Sequence, residues 1–141
     1  MTTSRQLGKL ILNILGITSA GILFTSNIAS INSTTGPSML PTISLRSYIL
    51  VSRLKPKLKR GDVITFTSPI EPQKGLVKRI IGLEGDVILN DGNKYEIPMG
   101  HLWVVGDNLN FSIDSRDFGP VSVGLVHGKV VFDFNRFRFI V

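Results

Sequence analysis

The sequence contains no cysteine and only two histidines, His101 and His127. The lack of cysteine excludes disulfide bonds, a thiolate nucleophile and cysteine-ligated zinc sites. Two histidines leave few candidates for a Ser-His-Asp triad, and the metalloprotease pattern His-Glu-x-x-His is absent. We therefore interpret both histidines and Trp103 as structural residues, and we assign no metal or cofactor to the chain.

The chain is short and basic. Its 141 residues, of which 43% are hydrophobic, predict one compact domain with a single core. The net charge of +6 suits an anionic partner. Nucleic acid and lipid headgroups both meet that description, and the charge alone does not distinguish them.

Charged residues are absent between Lys9 and Arg46. Residues 10–28 are apolar enough to predict a single transmembrane helix, preceded by a short tail at residues 1–9. Because Arg5 and Lys9 precede this segment with no acidic residue between them, the positive-inside tendency places the tail on the cytoplasmic or matrix side. A buried core helix, a cleaved signal peptide and an amphipathic surface helix are the alternatives.

Residues 29–141 predict a mainly β domain. Short apolar runs separated by turn residues indicate strands at 48–53, 62–67, 76–82, 86–90, 101–105 and 129–134. The pair Asp91-Gly92 between two such runs predicts a hairpin with a type I′ turn. The Ser-, Thr-, Gly- and Pro-rich residues 30–42 predict a loop that leads out of the membrane.

Ser38 stands in a rigid part of this loop, with the sequence Gly-Pro-Ser-Met-Leu-Pro-Thr at residues 36–42. A serine nucleophile needs a base within hydrogen-bonding reach. Lys78 is a candidate base, because strand alternation places Leu76, Lys78 and Ile80 on one face and turns Arg79 to the other. Burial would lower the pKa of this lysine toward neutrality. Taken singly, an ordinary turn and a surface lysine are the favoured explanations of the two residues, so the case depends on their combination with other motifs.

A third polar segment occupies residues 106–116, with the sequence Gly-Asp-Asn-Leu-Asn-Phe-Ser-Ile-Asp-Ser-Arg. If residues 112–116 are extended, Ser112, Asp114 and Arg116 share a face, and the carboxylate and guanidinium pair beside a free hydroxyl. A turn-rich surface loop is the alternative.

Together the three segments resemble the type I signal peptidase family, peptidase S26. The resemblance rests on three ordered motifs, at residues 38–42, 78–86 and 106–116. It implies a signal-peptidase-like, β-rich serine peptidase domain at residues 29–141, with Ser38 as the nucleophile and Lys78 as the general base. The backbone N–H of Ser38 would bind the oxyanion. Many bacterial members carry a second, hydroxyl donor two positions before the nucleophile, where this chain has Gly36.

The resemblance also implies roles for residues around this dyad. Ser112 would orient the amine of Lys78, and Asp114 and Arg116 would form a structural salt bridge. Met39 would belong to the wall around the nucleophile and the substrate. No metal or cofactor is implied.

Within the family, the chain looks most like a catalytic subunit of the mitochondrial inner membrane protease, with subunit 1 favoured over subunit 2. A compact bacterial signal peptidase is the nearest alternative. The mitochondrial resemblance implies a domain in the intermembrane space and a paralogous protease subunit as partner. Precursor proteins with cleavable targeting segments would be the substrates, and the lipid bilayer a further contact.

Two alternative functions from other classes of protein remain, a self-cleaving repressor and a non-enzymatic binding module. A self-cleaving repressor would need a DNA-binding helical domain, for which residues 10–24 are too apolar. A non-enzymatic, membrane-tethered module could use the basic residues 53–60 to contact phosphates or anionic lipid, although a solvated charged loop explains them too. We expect no nucleic-acid partner.

Overall fold

The computed structural model of the protein describes residues 8–9, 11–13, 28–54 and 57–140. Residues 8–9 and 11–13 are helical. The transmembrane helix predicted at residues 10–28 lies largely outside the described residues, and so does most of the predicted tail at residues 1–9. Within the described ranges, no helix is long and apolar enough to cross a membrane.

The described part of the chain is mainly β, as the sequence predicted. Its strands are β1 (Ala29–Thr34), β2 (Ser47–Ser52), β3 (Val63–Thr67), β4 (Gly75–Gly82), β5 (Val87–Asn90), β6 (Asn93–Glu96), β7 (His101–Val105), β8 (Val121–Ser122), β9 (Val126–Asp133) and β10 (Arg138–Phe139). A short helix, α1 (Ser115–Phe118), follows β7, and 3-10 turns cover Pro37–Met39, Leu109–Phe111 and Val123–Leu125.

The strands form one large antiparallel sheet in the order β1-β2-β9-β3-β4-β7-β8, with β10 beside β9. The six predicted strands correspond to β2, β3, β4, β5, β7 and β9, with ends that differ by at most three residues. The predicted hairpin is confirmed: β5 and β6 pair on either side of Asp91 and Gly92, whose φ values are 49° and 77°.

The prediction of a loop at residues 30–42 is wrong for its first part. β1 pairs along its whole length with β2, from Ala29 opposite Ser52 to Thr34 opposite Ser47. Every residue of β1 is exposed or half-buried. Backbone pairing at the edge of the sheet therefore makes this segment a strand, without the apolar alternation that sequence reasoning looks for.

Apolar side chains pack on both faces of the sheet. One cluster contains Met39, Ile43, Ile49, Val51, Val63, Val130 and Ile140. The other contains Ile64, Phe66, Ile80, Leu102, Val104 and Val121. Because successive strand residues point to opposite faces, the neighbours Val63 and Ile64 belong to different clusters. Met39, the residue after Ser38, is buried in the first cluster. Ile80, two residues after Lys78, is buried in the second.

β4 has an unpaired edge at its beginning. It pairs with β3 from Gly75 to Arg79, whereas its pairing with β7 begins only at Arg79. No strand in the described ranges pairs with the second edge of residues 75–78. This open edge carries Lys78.

An exposed apolar surface covers the outer side of β1, β2, β9 and β10. Its exposed residues are Ile31, Tyr48, Phe134, Phe137 and Phe139; together with the half-buried Leu50 and Phe132 we call them the aromatic face. The ring of Phe132 lies 5.1–5.5 Å from the rings of Phe134, Phe137 and Phe139. Phe137 is 85% exposed and Phe139 is 75% exposed.

Candidate active site

Ser38 lies in the 3-10 turn Pro37–Met39, which begins three residues after the end of β1 at Thr34. The turn is closed by a 3.1 Å hydrogen bond from the N–H of Leu40 to the carbonyl of Pro37, and the N–H of Ile43 donates to the carbonyl of Met39 at 2.8 Å. Met39 is only 3% exposed. Burial of this neighbour and the fixed φ of Pro37 hold Ser38 in one position on the molecule.

The loop after β7 also holds the Ser38 turn. The N–H of Asn108 donates to the carbonyl of Ser38 at 2.9 Å, and the side-chain amide of Asn108 donates to the carbonyl of Pro37 at 3.2 Å. Two bonds from one residue thus attach the turn to the end of β7. Sequence reasoning gave Asn108 no role, although it lies in the third motif.

Lys78 is buried, as strand alternation predicted. It is 3% exposed, Ile80 on the same face is fully buried, and Leu76 is half-buried. Burial lowers the pKa of Lys78 to about 8, and the positive charges of Lys74 and Arg116 act in the same direction, against the opposing charge of Asp114. A lysine with this pKa can accept a proton near neutral pH.

Ser38 and Lys78 line one cavity, with a volume of about 210 Å³. Its walls come from the end of β1, the Ser38 turn and the open edge of β4. The lining residues are Ser33, Thr34, Thr35, Gly36, Ser38, Met39, Ile43, Lys74, Gly75, Leu76, Val77 and Lys78. The cavity therefore brings together a serine hydroxyl and a lysine amine of lowered pKa, the two kinds of group that acyl transfer by a Ser/Lys dyad requires.

Asp114 is fully buried and collects several donors. Its Oδ2 accepts from the hydroxyl of Ser112 at 2.5 Å and from the N–H of Gly106 at 2.9 Å. Arg116 pairs with both carboxylate oxygens, at 2.9 and 3.0 Å. Burial alone would raise the pKa of Asp114, but these hydrogen bonds lower it below its usual value. The predicted pairing of Asp114 with Arg116 is present.

The extended conformation that would place Ser112, Asp114 and Arg116 on one face holds for Ser112 and Asp114 but ends there, because α1 begins at Ser115. Asp114 is the N-cap of α1, and a capping box joins its side chain and backbone to Asp117. The Asp-x-x-Asp spacing at residues 114–117 is a helix-start signal, which sequence reasoning missed. The hydroxyl of Ser112 is also not free, because it donates to Asp114.

Gly106 lies where the Ser38 turn meets this network. A methyl group on Gly106 would approach the carbonyl oxygen of Ser38 and the Cβ of Ser112 to 2.6 Å each. Such distances are too short for real contacts. Only glycine lets the Ser38 turn and Ser112 come this close to the end of β7.

Arg79, which faces away from Lys78, is a further supporting residue that sequence reasoning missed. Its guanidinium donates to both oxygens of Asp107, to the carbonyl of Gly61 at 2.6 Å and to the hydroxyl of Thr42 at 3.4 Å. The sequence did contain a signal for this pair, because Arg79 lies in the second motif and Asp107 lies in the third.

His101 and His127 lie outside this cavity. The Nδ1 of His101 is 3.0 Å from the carbonyl of Met99, and the Nε2 of His127 is 2.8 Å from the hydroxyl of Thr67. Both line a separate cavity with a volume of about 340 Å³, together with apolar residues. Neither histidine contacts Ser38.

Comparison with known proteins gives consistent matches. The family model described as signal peptidase, peptidase S26, matches residues 4–94 and 89–135. Subunit 1 of the mitochondrial inner membrane protease from Schizosaccharomyces pombe is 41% identical over 107 residues, which is 70% of this chain and 68% of the relative. The human subunit 1 is 41% identical over 106 residues, 69% of this chain and 64% of the relative.

Relatives named as the other subunit are about as similar. Subunit 2 of the mitochondrial inner membrane protease from Danio rerio is 43% identical over 105 residues, 67% of this chain and 57% of the relative. Overall identity therefore does not separate the two subunit types.

Proposed function

Because this chain belongs to the signal peptidase family, peptidase S26, we propose that it is a membrane-anchored serine endopeptidase that removes targeting segments from precursor proteins. Ser38 is the proposed nucleophile and Lys78 the proposed general base. The observation that carries this assignment is the shared cavity. It is lined both by a serine in a fixed turn and by a buried lysine of lowered pKa.

The proposed reaction begins with neutral Lys78. Its amine takes the proton of the Ser38 hydroxyl while Oγ attacks the scissile carbonyl, and it then returns the proton to the leaving amine. Water activated by Lys78 hydrolyses the resulting ester. With a pKa of about 8, roughly a tenth of the Lys78 side chains are neutral at pH 7, against about one in three thousand for an unperturbed lysine.

The surrounding residues support this chemistry in the proposal. The backbone N–H of Ser38 binds the oxyanion, and Ser112 orients the amine of Lys78. Asp114 and Arg116 fix Ser112 through the hydrogen bond that Asp114 accepts from its hydroxyl. Met39 forms part of the cavity wall.

The proposed location is the mitochondrial inner membrane, with residues 10–28 as the anchor and the catalytic domain, residues 29–141, in the intermembrane space. The names of the relatives support the membrane. Two observations support contact of the domain with lipid. The aromatic face begins on β1, immediately after the apolar segment, and the chain contains no acidic residue before Asp62.

The proposed partner is a paralogous protease subunit. The relatives are named as subunits 1 and 2 of one protease, which supports a hetero-oligomer. We assign this chain to the subunit 1 type on the Ser-Ile-Asp-Ser-Arg sequence at residues 112–116.

The decisive experiment compares the wild type, Ser38→Ala and Lys78→Met in liposomes, with a membrane-tethered precursor as substrate. Lys94→Met is the matched control, since Lys94 is exposed on β6 and lies outside the cavity lining. We expect cleavage to fall by about a thousandfold or more in both dyad variants and to be unchanged in the control. Retained cleavage by folded Ser38→Ala and Lys78→Met would refute the dyad, whereas a folded wild type that cleaves nothing would favour the non-enzymatic membrane-tethered module.

A further inference from the structure

A second lysine lies at the mouth of the catalytic cavity. Lys74 lines the same cavity as Ser38 and Lys78, but its side chain is 54% exposed. Among the residues that line this cavity, Lys74 and Lys78 are the charged ones, and none carries a carboxylate. A bound substrate thus meets an exposed positive charge that no acidic residue of the cavity wall opposes.

The backbone of Lys74 is held in place by the turn between β3 and β4. The N–H of Lys74 donates to the carbonyl of Glu71 at 2.8 Å, and the carbonyl of Lys74 accepts from the N–H of Ser68 at 2.9 Å. The hydroxyl of Ser68 in turn accepts from the N–H of Glu71 at 3.1 Å. The turn therefore places Lys74 immediately before the unpaired edge of β4.

The ammonium group of Lys74 is available to a ligand. Its ion pair with Glu71 is long, at 3.4 Å, and the two side chains are 54% and 58% exposed. Exposed pairs of this kind contribute little and exchange readily. A substrate carboxylate that enters the cavity can therefore replace Glu71 at small cost. The charge of Lys74 is also felt at Lys78, whose pKa it lowers, which is consistent with a position near the reacting groups.

We propose that Lys74 binds a substrate carboxylate and that the enzyme prefers precursors with Asp or Glu close to the scissile bond. This inference rests on the proposed function, because it assumes that the scissile carbonyl lies beside Ser38. Lys74 precedes Lys78 by four residues, a separation of about 13 Å along an extended strand. The favoured carboxylate therefore lies within about four residues of the cleaved bond.

The test uses the full chain in liposomes with a set of tethered peptides. The peptides share one cleavage site and differ in a single residue, which is Asp, Asn or Lys, at each position up to four residues from the scissile bond. The variants are Lys74→Met, Lys74→Glu and the control Lys94→Met. At the responsive position we expect the wild type to cleave the Asp peptide about two- to fivefold more efficiently than the Asn peptide, and the preference should weaken as salt rises.

The variants decide whether Lys74 is responsible. Lys74→Met should lose the preference for Asp over Asn, Lys74→Glu should prefer the Lys peptide, and Lys94→Met should behave like the wild type. A merely structural role of Lys74 would change cleavage of all the peptides alike. The inference is overturned if the wild type does not distinguish Asp from Asn, or if Lys74→Met retains the preference. Failure of the wild type to cleave any peptide would instead refute the proposed function, and this inference with it.

Discussion

Arg79 and Asp107 form a bidentate ion pair, with 2.8 Å between Nε and Oδ1 and 2.7 Å between Nη2 and Oδ2. Arg79 follows the proposed base Lys78 in β4, and Asp107 precedes Asn108, which holds the Ser38 turn by two hydrogen bonds. The pair therefore joins the strand that carries the proposed base to the loop that holds the Ser38 turn. Neither Arg79 nor Asp107 needs to touch a substrate for this.

Replacement of Arg79 by lysine should reduce activity through this connection. A lysine ammonium cannot reproduce the planar fork that binds both oxygens of Asp107. We expect kcat/KM to fall about tenfold or more, since small displacements of catalytic groups have effects of this size. The matched control is Arg60→Lys, because Arg60 forms a similar but exposed pair with Asp86, away from the cavity. Equal kcat/KM for Arg79→Lys and the wild type would contradict the connection.

The pH dependence of cleavage should follow the deprotonation of Lys78. Only the neutral amine acts as a base, so kcat/KM should rise with pH through a midpoint of about 8, the pKa that burial gives this residue. Lys74 and Arg116 lower this pKa, and Asp114 raises it. The midpoint should therefore move to higher pH in Lys74→Met. A profile that is flat between pH 6 and 9, roughly the range around this pKa, would rule out Lys78 as the base.

Lys78→Met should be more stable than the wild type at neutral pH. The folded state lowers the pKa of Lys78 from 10.5 to about 8, so the unfolded chain binds more protons between these values, and the lysine destabilises the fold by about 3 kcal/mol below pH 8. Stability of the wild type should rise as the pH increases from 8 toward 10.5. Thermal unfolding at several pH values measures this difference. The prediction fails if Lys78→Met unfolds at a lower temperature than the wild type at pH 7.

Gly106→Ala should disrupt the site as well as the fold around it. The added methyl group would overlap the carbonyl of Ser38 and the side chain of Ser112. We expect a loss of stability of about 1–3 kcal/mol and a large fall in activity. Gly124→Ala is the control, because the new Cβ there would meet its nearest neighbour at an ordinary 3.5 Å. Denaturant unfolding and cleavage assays on both variants test this, and comparable effects in the two would argue against it.

Strong local patterns made much of the fold predictable. The alternation around Lys78 predicted a buried lysine, and Asp91-Gly92 predicted a turn that needs positive φ at both positions. β1 was missed, because its Ser- and Asn-rich residues are held by pairing with β2 and show no apolar period. Long-range partners of this kind are not encoded in the local sequence.

The site was predictable in its residue types but not in its connections. The motifs identified Ser38, Lys78, Ser112, Asp114 and Arg116 as a group. They gave no sign that Asn108 binds the carbonyl of Ser38, because the two residues are far apart in the chain and meet only when β7 ends beside the turn. The start of α1 at Asp114 follows a local Asp-x-x-Asp pattern. The interpretation of residues 112–116 as a possible extended segment did not include it.

β1 also has a consequence for which precursors the enzyme can reach. The strand is six residues long, and it separates Ile28 from the turn that carries Ser38. Extended chain rises about 3.3 Å per residue, so β1 measures about 20 Å. Three further residues, Thr35, Gly36 and Pro37, lie between β1 and Ser38, so if the chain leaves the bilayer at residue 28, Ser38 lies at most about 33 Å above the lipid surface. A precursor anchored in the same membrane can therefore span this distance whenever about ten extended residues separate its own membrane segment from its cleavage site.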